Sequence, residues 1–198
     1  MGLDLEYING QTPLDEDEKD DILIPTIATR GELDEFEQQN IEEAIQWVLS
    51  KSFSAKTILS EQFVKNLHKR MFGNVWAWAG NFRKTNKNIG IDKWQIPTAL
   101  KTLLDDTLYW IENSTFLPDV IAVRFKHRLV SIHCFSNGNG RHSRLMADII
   151  IDKILKRSVF TWGAEDLVQQ SNARTEYLNA IREADKDNIE PLISFARS

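Results

Sequence analysis

Residues 133–144 read His133-Cys134-Phe135-Ser136-Asn137-Gly138-Asn139-Gly140-Arg141-His142-Ser143-Arg144, and apolar residues at helical spacing lie on both sides. Gly138, Asn139 and Gly140 allow backbone turns that aim successive N–H groups into one concavity. A helix starting near Arg141 would put its positive end behind them, which makes an anion site. Arg141 and Arg144 are three apart and share a helix face, where two guanidinium forks could grip neighbouring phosphate oxygens. His133, directly before the loop, is the candidate proton acceptor near neutral pH. Taken alone, Gly-Asn-Gly is equally well a helix-to-helix turn.

Outward from this stretch the pattern is helical. Ile121, Phe125, Leu129 and Ile132 predict a helix over 120–132 that delivers His133 at its end, with Pro118 marking the break before it. Leu145, Ile149, Ile150, Ile154 and Leu155 give the following helix its buried stripe. Leu100, Leu103, Leu104, Leu108 and Ile111 predict a helix over 98–113. Ser60 can cap another that runs to Gly73, with Phe63, Leu67, His68 and Met71 inward. His68, alone among apolar residues, reads as a satisfied structural histidine. Phe36, Ile41, Ile45 and Val48 predict an amphipathic helix from Glu32 to about Ser50, and 163–185 and 189–198 read as two final helices. Gly73 to Pro97 breaks this rhythm with Gly73, Gly80 and Gly90 and the short runs 89–92 and 94–96, which predicts a β-hairpin.

The chain of 198 residues, 42% apolar and 27% charged, fits one soluble globular domain. Residues 1–25 are acidic, with Asp15-Glu-Asp-Glu-Lys-Asp-Asp21, and read as an arm with a solvated face; residues 26–198 read as a single domain with a core of about 60–160. A net charge of −5 makes nucleic acid an unlikely partner. No apolar run approaches the roughly 20 residues of a membrane span, and Met1-Gly-Leu-Asp-Leu-Glu6 has no basic lead or apolar core, so a cytoplasmic location without a membrane partner is expected. The one cysteine, Cys134, is read as a small buried filler, with a redox-sensitive thiol as the alternative.

The stretch resembles the signature of Fic domains, H-x-F-x-[D/E]-G-N-G-R-x-x-R, at every fixed position except Asn137, where the family carries an acid. Trp78-Ala-Gly-Asn-Phe-Arg83, Ile89-Gly-Ile91 and Thr29-Arg-Gly-Glu-Leu33 extend the likeness over roughly 26–160. They make it most similar to the small bacterial Fic proteins called mobile mystery protein B. The resemblance implies an all-α Fic-fold helical bundle with a small β-hairpin flap. It implies a protein adenylyltransferase that moves AMP from ATP to a Ser, Thr or Tyr hydroxyl of a target protein, with His133 as general base. Gly138, Asn139 and Gly140 would hold phosphate oxygens, with the Asn139 amide donating to the α-phosphate. Arg141 would take the β-phosphate and Arg144 the γ-phosphate.

By the same resemblance, the flap residues Ile89, Gly90, Ile91, Asp92, Lys93, Trp94, Gln95 and Ile96 would register the target by strand addition. ATP is the implied substrate and Mg²⁺ or Mn²⁺ the implied metal. Asn137 has no formal charge to hold a cation, so a weakened metal site is expected there. Transfer of another nucleotidyl or phosphate-containing group remains open, as does a catalytically silent nucleotide-binding or interaction module. The family's inhibitory pattern [S/T]-x-x-x-E-[G/N] is met nowhere, and the segment from Thr26 to Gly31 puts Arg30 where glutamate should be. A separate antitoxin-like regulator, as in toxin–antitoxin pairs, is the expected alternative, and a homodimer is compatible with the likeness.

Overall fold

A computed structural model describes residues 15–163 and 170–198 of the chain. Among these the structure is helical. The only extended pairing is an isolated antiparallel bridge between Ile22 and Trp76. The helices are α1 (Glu16–Lys19), α2 (Arg30–Leu49), α3 (Ala55–Ile58), α4 (Glu61–Phe72), α5 (Ile96–Glu112), α6 (Pro118–Ile132), α7 (Asn139–Ile149), α8 (Gln170–Ala184) and α9 (Glu190–Arg197). The two final helices fall where the periodicity predicts them, although the stretch 164–169 assigned to the first lies outside the described residues.

Local chemistry sets the ends. Thr29 Oγ1 accepts from Glu32 N–H at 3.3 Å while the Glu32 carboxylate accepts from Thr29 N–H at 3.0 Å, a reciprocal cap that starts α2. Ser60 Oγ accepts from Phe63 N–H at 3.2 Å and starts α4, which Gly73 ends as read from the sequence. Pro97 and Pro118 stand in the first turns of α5 and α6, where a missing N–H costs nothing. α7 runs on into a π-helical turn, Ile150–Ile154.

The helix α6 is the centre of the bundle and packs on α5, α7 and α9, while α4 lies against α2, α5 and α7. Its inward stripe Ile121, Phe125, Leu129 and Ile132 is buried, as are Phe63, Leu67, His68 and Met71 of α4 and Leu100, Leu103 and Leu104 of α5. Each such large apolar side chain contributes about 1.5–3 kcal/mol through its removal from water.

Three expectations are corrected. On α2 the core face is Leu33, Glu37, Asn40, Ala44 and Val48, and Phe36 is 42% exposed. Two polar residues turn inward because they have partners there. Trp76 Nε1–H donates to Glu37 Oε1 at 2.7 Å, and the Asn74 amide donates to Asn40 Oδ1 at 3.0 Å. The acidic run is also not merely a solvated face. Lys87, with only 3% of its side chain exposed, pairs with Asp15 at 2.8 Å and with Glu18. Leu23 N–H donates to Val75 C=O and Ala77 N–H to Asp21 C=O, at 2.8 and 3.0 Å.

The third correction concerns the flap. No hairpin forms between Gly73 and Pro97: Ile89 to Asp92 is an irregular turn, Lys93–Gln95 is one 3₁₀ turn, and Ile96 opens α5 and is fully buried. The groups that would build a ladder are committed elsewhere. Ile91 C=O accepts from Arg83 Nη2, Lys93 N–H donates to Asn86 Oδ1 at 2.8 Å, and Trp94 N–H donates to Asp92 Oδ1 at 2.9 Å. A strand pair cannot form from backbone already bonded to side chains.

Candidate functional site

His133 caps α6 in the left-handed region, at φ 57° and ψ 63°, and is 4% exposed. An L-residue there stores about 1–2 kcal/mol of strain, so something must hold it. Arg83 does. Its Nε donates to His133 C=O at 2.6 Å, its backbone N–H to Cys134 C=O at 2.9 Å, and its Nη1 to Thr85 C=O at 2.7 Å. The same guanidinium therefore ties the end of α6 to the loop 85–91. Gly90 lies against the histidine: at φ 96°, a Cβ added there would stand 2.5 Å from His133 Cβ and 3.2 Å from Arg83 Nη2. Only glycine permits this approach.

Burial chiefly, and then the Arg83 charge, pull the His133 imidazole down from 6.5 to about 4, against the opposing bond to Val130 C=O. It is neutral at pH 7 and has a lone pair to offer. An incoming polyphosphate would raise its proton affinity, because negative charge beside it favours imidazolium.

Gly138, at φ 74°, turns the chain into α7. The first bond inside that helix runs from His142 N–H to Gly138 C=O at 2.9 Å, so the amides of Asn139, Gly140 and Arg141 have no partner within it. A Cβ on Gly140 would meet nothing within 4 Å, so the helix end opens onto free space. This fits an anion. The Asn139 side chain also clamps the loop: its Oδ1 accepts from Phe135 N–H at 3.0 Å and its Nδ2 donates to Phe135 C=O at 2.8 Å.

His68 supports the same loop from α4. Its Nδ1 accepts from Gly80 N–H at 3.0 Å, which leaves the proton on Nε2 to donate to Asn137 C=O at 3.0 Å. The ring stacks on Phe135 at 3.7 Å, and burial holds its pKa well below the ordinary value. His68 is thus a satisfied structural histidine, as expected, with a structural task at the site. His142 is buried against α4 and bonded to Val64 C=O at 3.0 Å, while His127 faces α8 and meets Asp185 at 2.8 Å. Cys134 is buried, and burial pushes its thiol up to about 12, which suits a filler and not a reactive thiolate.

Asn137 Oδ1 accepts from Gly138 N–H at 2.6 Å, and among the described residues no group of three or more His, Cys, Asp or Glu side chains could hold a metal. At the loop itself a divalent cation would find an uncharged amide oxygen where a carboxylate would hold it better.

Arg141 and Arg144 leave α7 on one face, as their spacing predicts, but reach different surroundings. Arg141 Nη2 meets Glu37 Oε2 of α2 at 2.7 Å, and its guanidinium lies 4.8 Å above the Phe72 ring. Arg144 lies 5.7 Å from the Tyr177 ring of α8, whose hydroxyl accepts from the fully buried Lys126 at 2.6 Å. Arg30, which stands where the inhibitory pattern has glutamate, pairs with Asp34 at 2.9 Å.

Sequence reasoning gave no role to Arg83, Glu37, Lys126 or Tyr177. The signal for Glu37 was available: 33, 37, 40, 44 and 48 form a helical stripe, and a polar residue on a buried stripe requires a partner. Arg83 and Tyr177 are long-range partners for which local pattern offers no signal.

Comparisons with known proteins agree with the fold and the loop. Residues 58–151 match the model of the Fic/DOC family. The protein adenylyltransferase Fic of Aedes aegypti is 25% identical over 159 residues, which are 78% of this chain and 30% of that protein. Its namesake in Drosophila melanogaster is 26% identical over 151 residues, 74% and 29% of the two chains. The chain thus spans less than a third of the length of these curated relatives. Among solved structures, Fic-1 from C. elegans superposes with a TM-score of 0.68 at 21% identity, covering 89% of this chain and 50% of that one. The BepC effector of Bartonella tribocorum, solved with bound AMPPNP, superposes with a TM-score of 0.67 at 15% identity over 92% and 97%. These superpositions speak to the fold alone. A histidine held at a helix end, followed by a helix N-terminus with two arginines, thus sits inside the matched segment: residues 58–151 are similar to the Fic/DOC family.

Proposed function

We propose that the chain is a protein adenylyltransferase. The observation that carries this is the neutral, buried His133 held by Arg83 beside an open helix N-terminus faced by Gly140. ATP would lie with its phosphates on the amides of Asn139, Gly140 and Arg141, with Arg141 at the β-phosphate and Arg144 at the γ-phosphate. His133 takes the proton of a Ser, Thr or Tyr hydroxyl on the target as its oxygen bonds to the α-phosphorus. The bond from that phosphorus to the bridging oxygen breaks and pyrophosphate leaves, its charge met by the arginines and the helix end. Mg²⁺ or Mn²⁺ would arrive with the nucleotide, with Asn137 at most a weak ligand; no step here depends on it.

The loop over His133 is the surface a target polypeptide would meet, since Trp94 is 80% exposed and Ile89 47%. Docking there rests on side chains, because Ile91 C=O is already taken by Arg83. Transfer of a different nucleotidyl group uses the same phosphate contacts. A silent nucleotide-binding module is favoured by one observation, the Asn137 side chain turned back on the loop.

The test is incubation with ATP labelled at either the α- or the γ-phosphate, with Mg²⁺ or Mn²⁺ and a hydroxyl-bearing target preparation. Label carried onto protein from the α position only supports AMP transfer. Label from the γ position, or nucleotide binding with no label from either, overturns it.

A further inference from the structure

Glu37 joins α2, outside the matched segment, to Arg141 of α7. Its carboxylate is buried at 3% exposure: Oε1 receives Trp76 Nε1–H at 2.7 Å, and Oε2 lies 2.7 Å from Arg141 Nη2, an ion-pair distance whose angle is not that of a hydrogen bond, so charge and not a directed bond ties the two together. Arg141 is at the same time 31% exposed on its side chain, so part of its guanidinium is buried against Glu37 and Phe72 and part faces solvent at the helix end. A guanidinium carries five N–H donors in a rigid planar fork, and fixing one edge aims the other. A free arginine would have to surrender its rotamer freedom on gripping a phosphate. One already stacked and paired has surrendered most of it in advance.

We infer that Glu37 is a positioning residue, which holds the Arg141 guanidinium so that its open edge receives the second phosphate of the bound nucleotide. The inference rests on the proposed adenylyltransferase reading. A paired carboxylate and cation on separately packed elements serve this purpose in protein kinases, where a glutamate on a mobile helix sets the phosphate-binding lysine of a strand. Here the carboxylate has little freedom of its own, because Trp76 pins it from behind and Trp76 is 1% exposed. The opposite role, in which Glu37 competes with phosphate for Arg141, predicts the reverse sign in the same experiment.

The experiment is calorimetric binding of ATP, ADP and AMP to the full chain, to Glu37→Gln, to Arg141→Gln and to the double variant, with melting temperatures as a check on folding. Glutamine keeps the shape and can still accept from Trp76. The expected result is that Glu37→Gln weakens ATP and ADP by about tenfold, roughly 1.4 kcal/mol, and leaves AMP within about twofold. In the Arg141→Gln background the same change should have no further effect on ATP, as required of a residue that acts only through Arg141. Equal weakening of all three nucleotides, an unchanged ATP-to-AMP ratio, or tighter ATP binding in Glu37→Gln overturns the inference. If the parent chain itself binds ATP no better than AMP, the failure belongs to the phosphate cradle of the proposed function. Should Glu37→Gln not fold, Glu37→Asp, which keeps the charge but draws the carboxylate back from Arg141, is measured in its place: ATP and ADP weakened with AMP unchanged supports the inference, and an unchanged ATP-to-AMP ratio overturns it.

Discussion

Replacement of Arg83 by methionine removes a buried charge and its donors at nearly constant volume. The affected acceptors are the carbonyls of His133, Thr85 and Ile91, of which Thr85 is exposed and can turn to water. The carbonyls of His133 and Ile91 lie closer to the core and lose a charge-assisted partner each, at about 1–3 kcal/mol apiece. Relief from desolvating the guanidinium and relaxation of the left-handed His133 return part of this, so we expect a net loss of roughly 2–4 kcal/mol. For a chain of this length that corresponds to a fall in melting temperature of about 5–15 °C. A second consequence is specific to this geometry. Arg83 is the larger of the two cationic causes that depress His133, after burial, so the His133 pKa should rise from about 4 without regaining its ordinary 6.5. Calorimetry and an NMR titration of the His133 ring check the two parts separately. A variant with unchanged melting temperature and unchanged His133 titration would show that Arg83 does not organise the site.

Other perturbations follow from the same contacts. Gly140→Ala should fold with a melting temperature within about 2 °C of the parent, since its Cβ meets nothing, yet weaken ATP more than about tenfold by filling the cradle; equal ATP affinity would remove the phosphate from that helix end. Glu18→Gln leaves the buried Lys87 with Asp15 alone and should cost about 1–3 kcal/mol in chemical denaturation; no loss would mean the arm is not docked. His133 and His142 are both held at about 4 in the fold against 6.5, so the unfolded chain binds more protons between those values and stability is lost as pH falls from about 6.5 to about 4. Asp148, raised from 3.8 to about 6, acts in the opposite direction over much of that window and offsets about one histidine, while His68, also held below its ordinary value, adds to the loss, so stability falls on balance. A melting temperature that stays flat from pH 7 to below 5 would contradict this.

Much of the frame was legible because α4, α5, α6 and α7 bury apolar side chains at helical spacing and carry ordinary caps and prolines. Reading failed on α2, where core positions 37 and 40 are polar and the exposed apolar residue at 36 points the pattern to the wrong face. It failed again at 89–96. Glycine-bounded apolar runs look like strands, but Arg83 captures the backbone that a hairpin would need, and a single side-chain contact leaves no periodic trace. Within the candidate site the loop and its arginines were legible from local spacing. The partners that hold them, Glu37 at 104 positions from Arg141 and Arg83 at 50 from His133, come together only in the fold.

The central claim, that His133 takes the hydroxyl proton during AMP transfer, is tested most directly by comparing the parent chain with His133→Ala for α-label incorporation from ATP, with ATP affinity measured on the same samples. The account predicts that the variant binds ATP as the parent does, since the cradle lies in Asn139 to Arg141, and that labelling falls by about 10²- to 10⁴-fold. Undiminished labelling by a folded His133→Ala protein would contradict it.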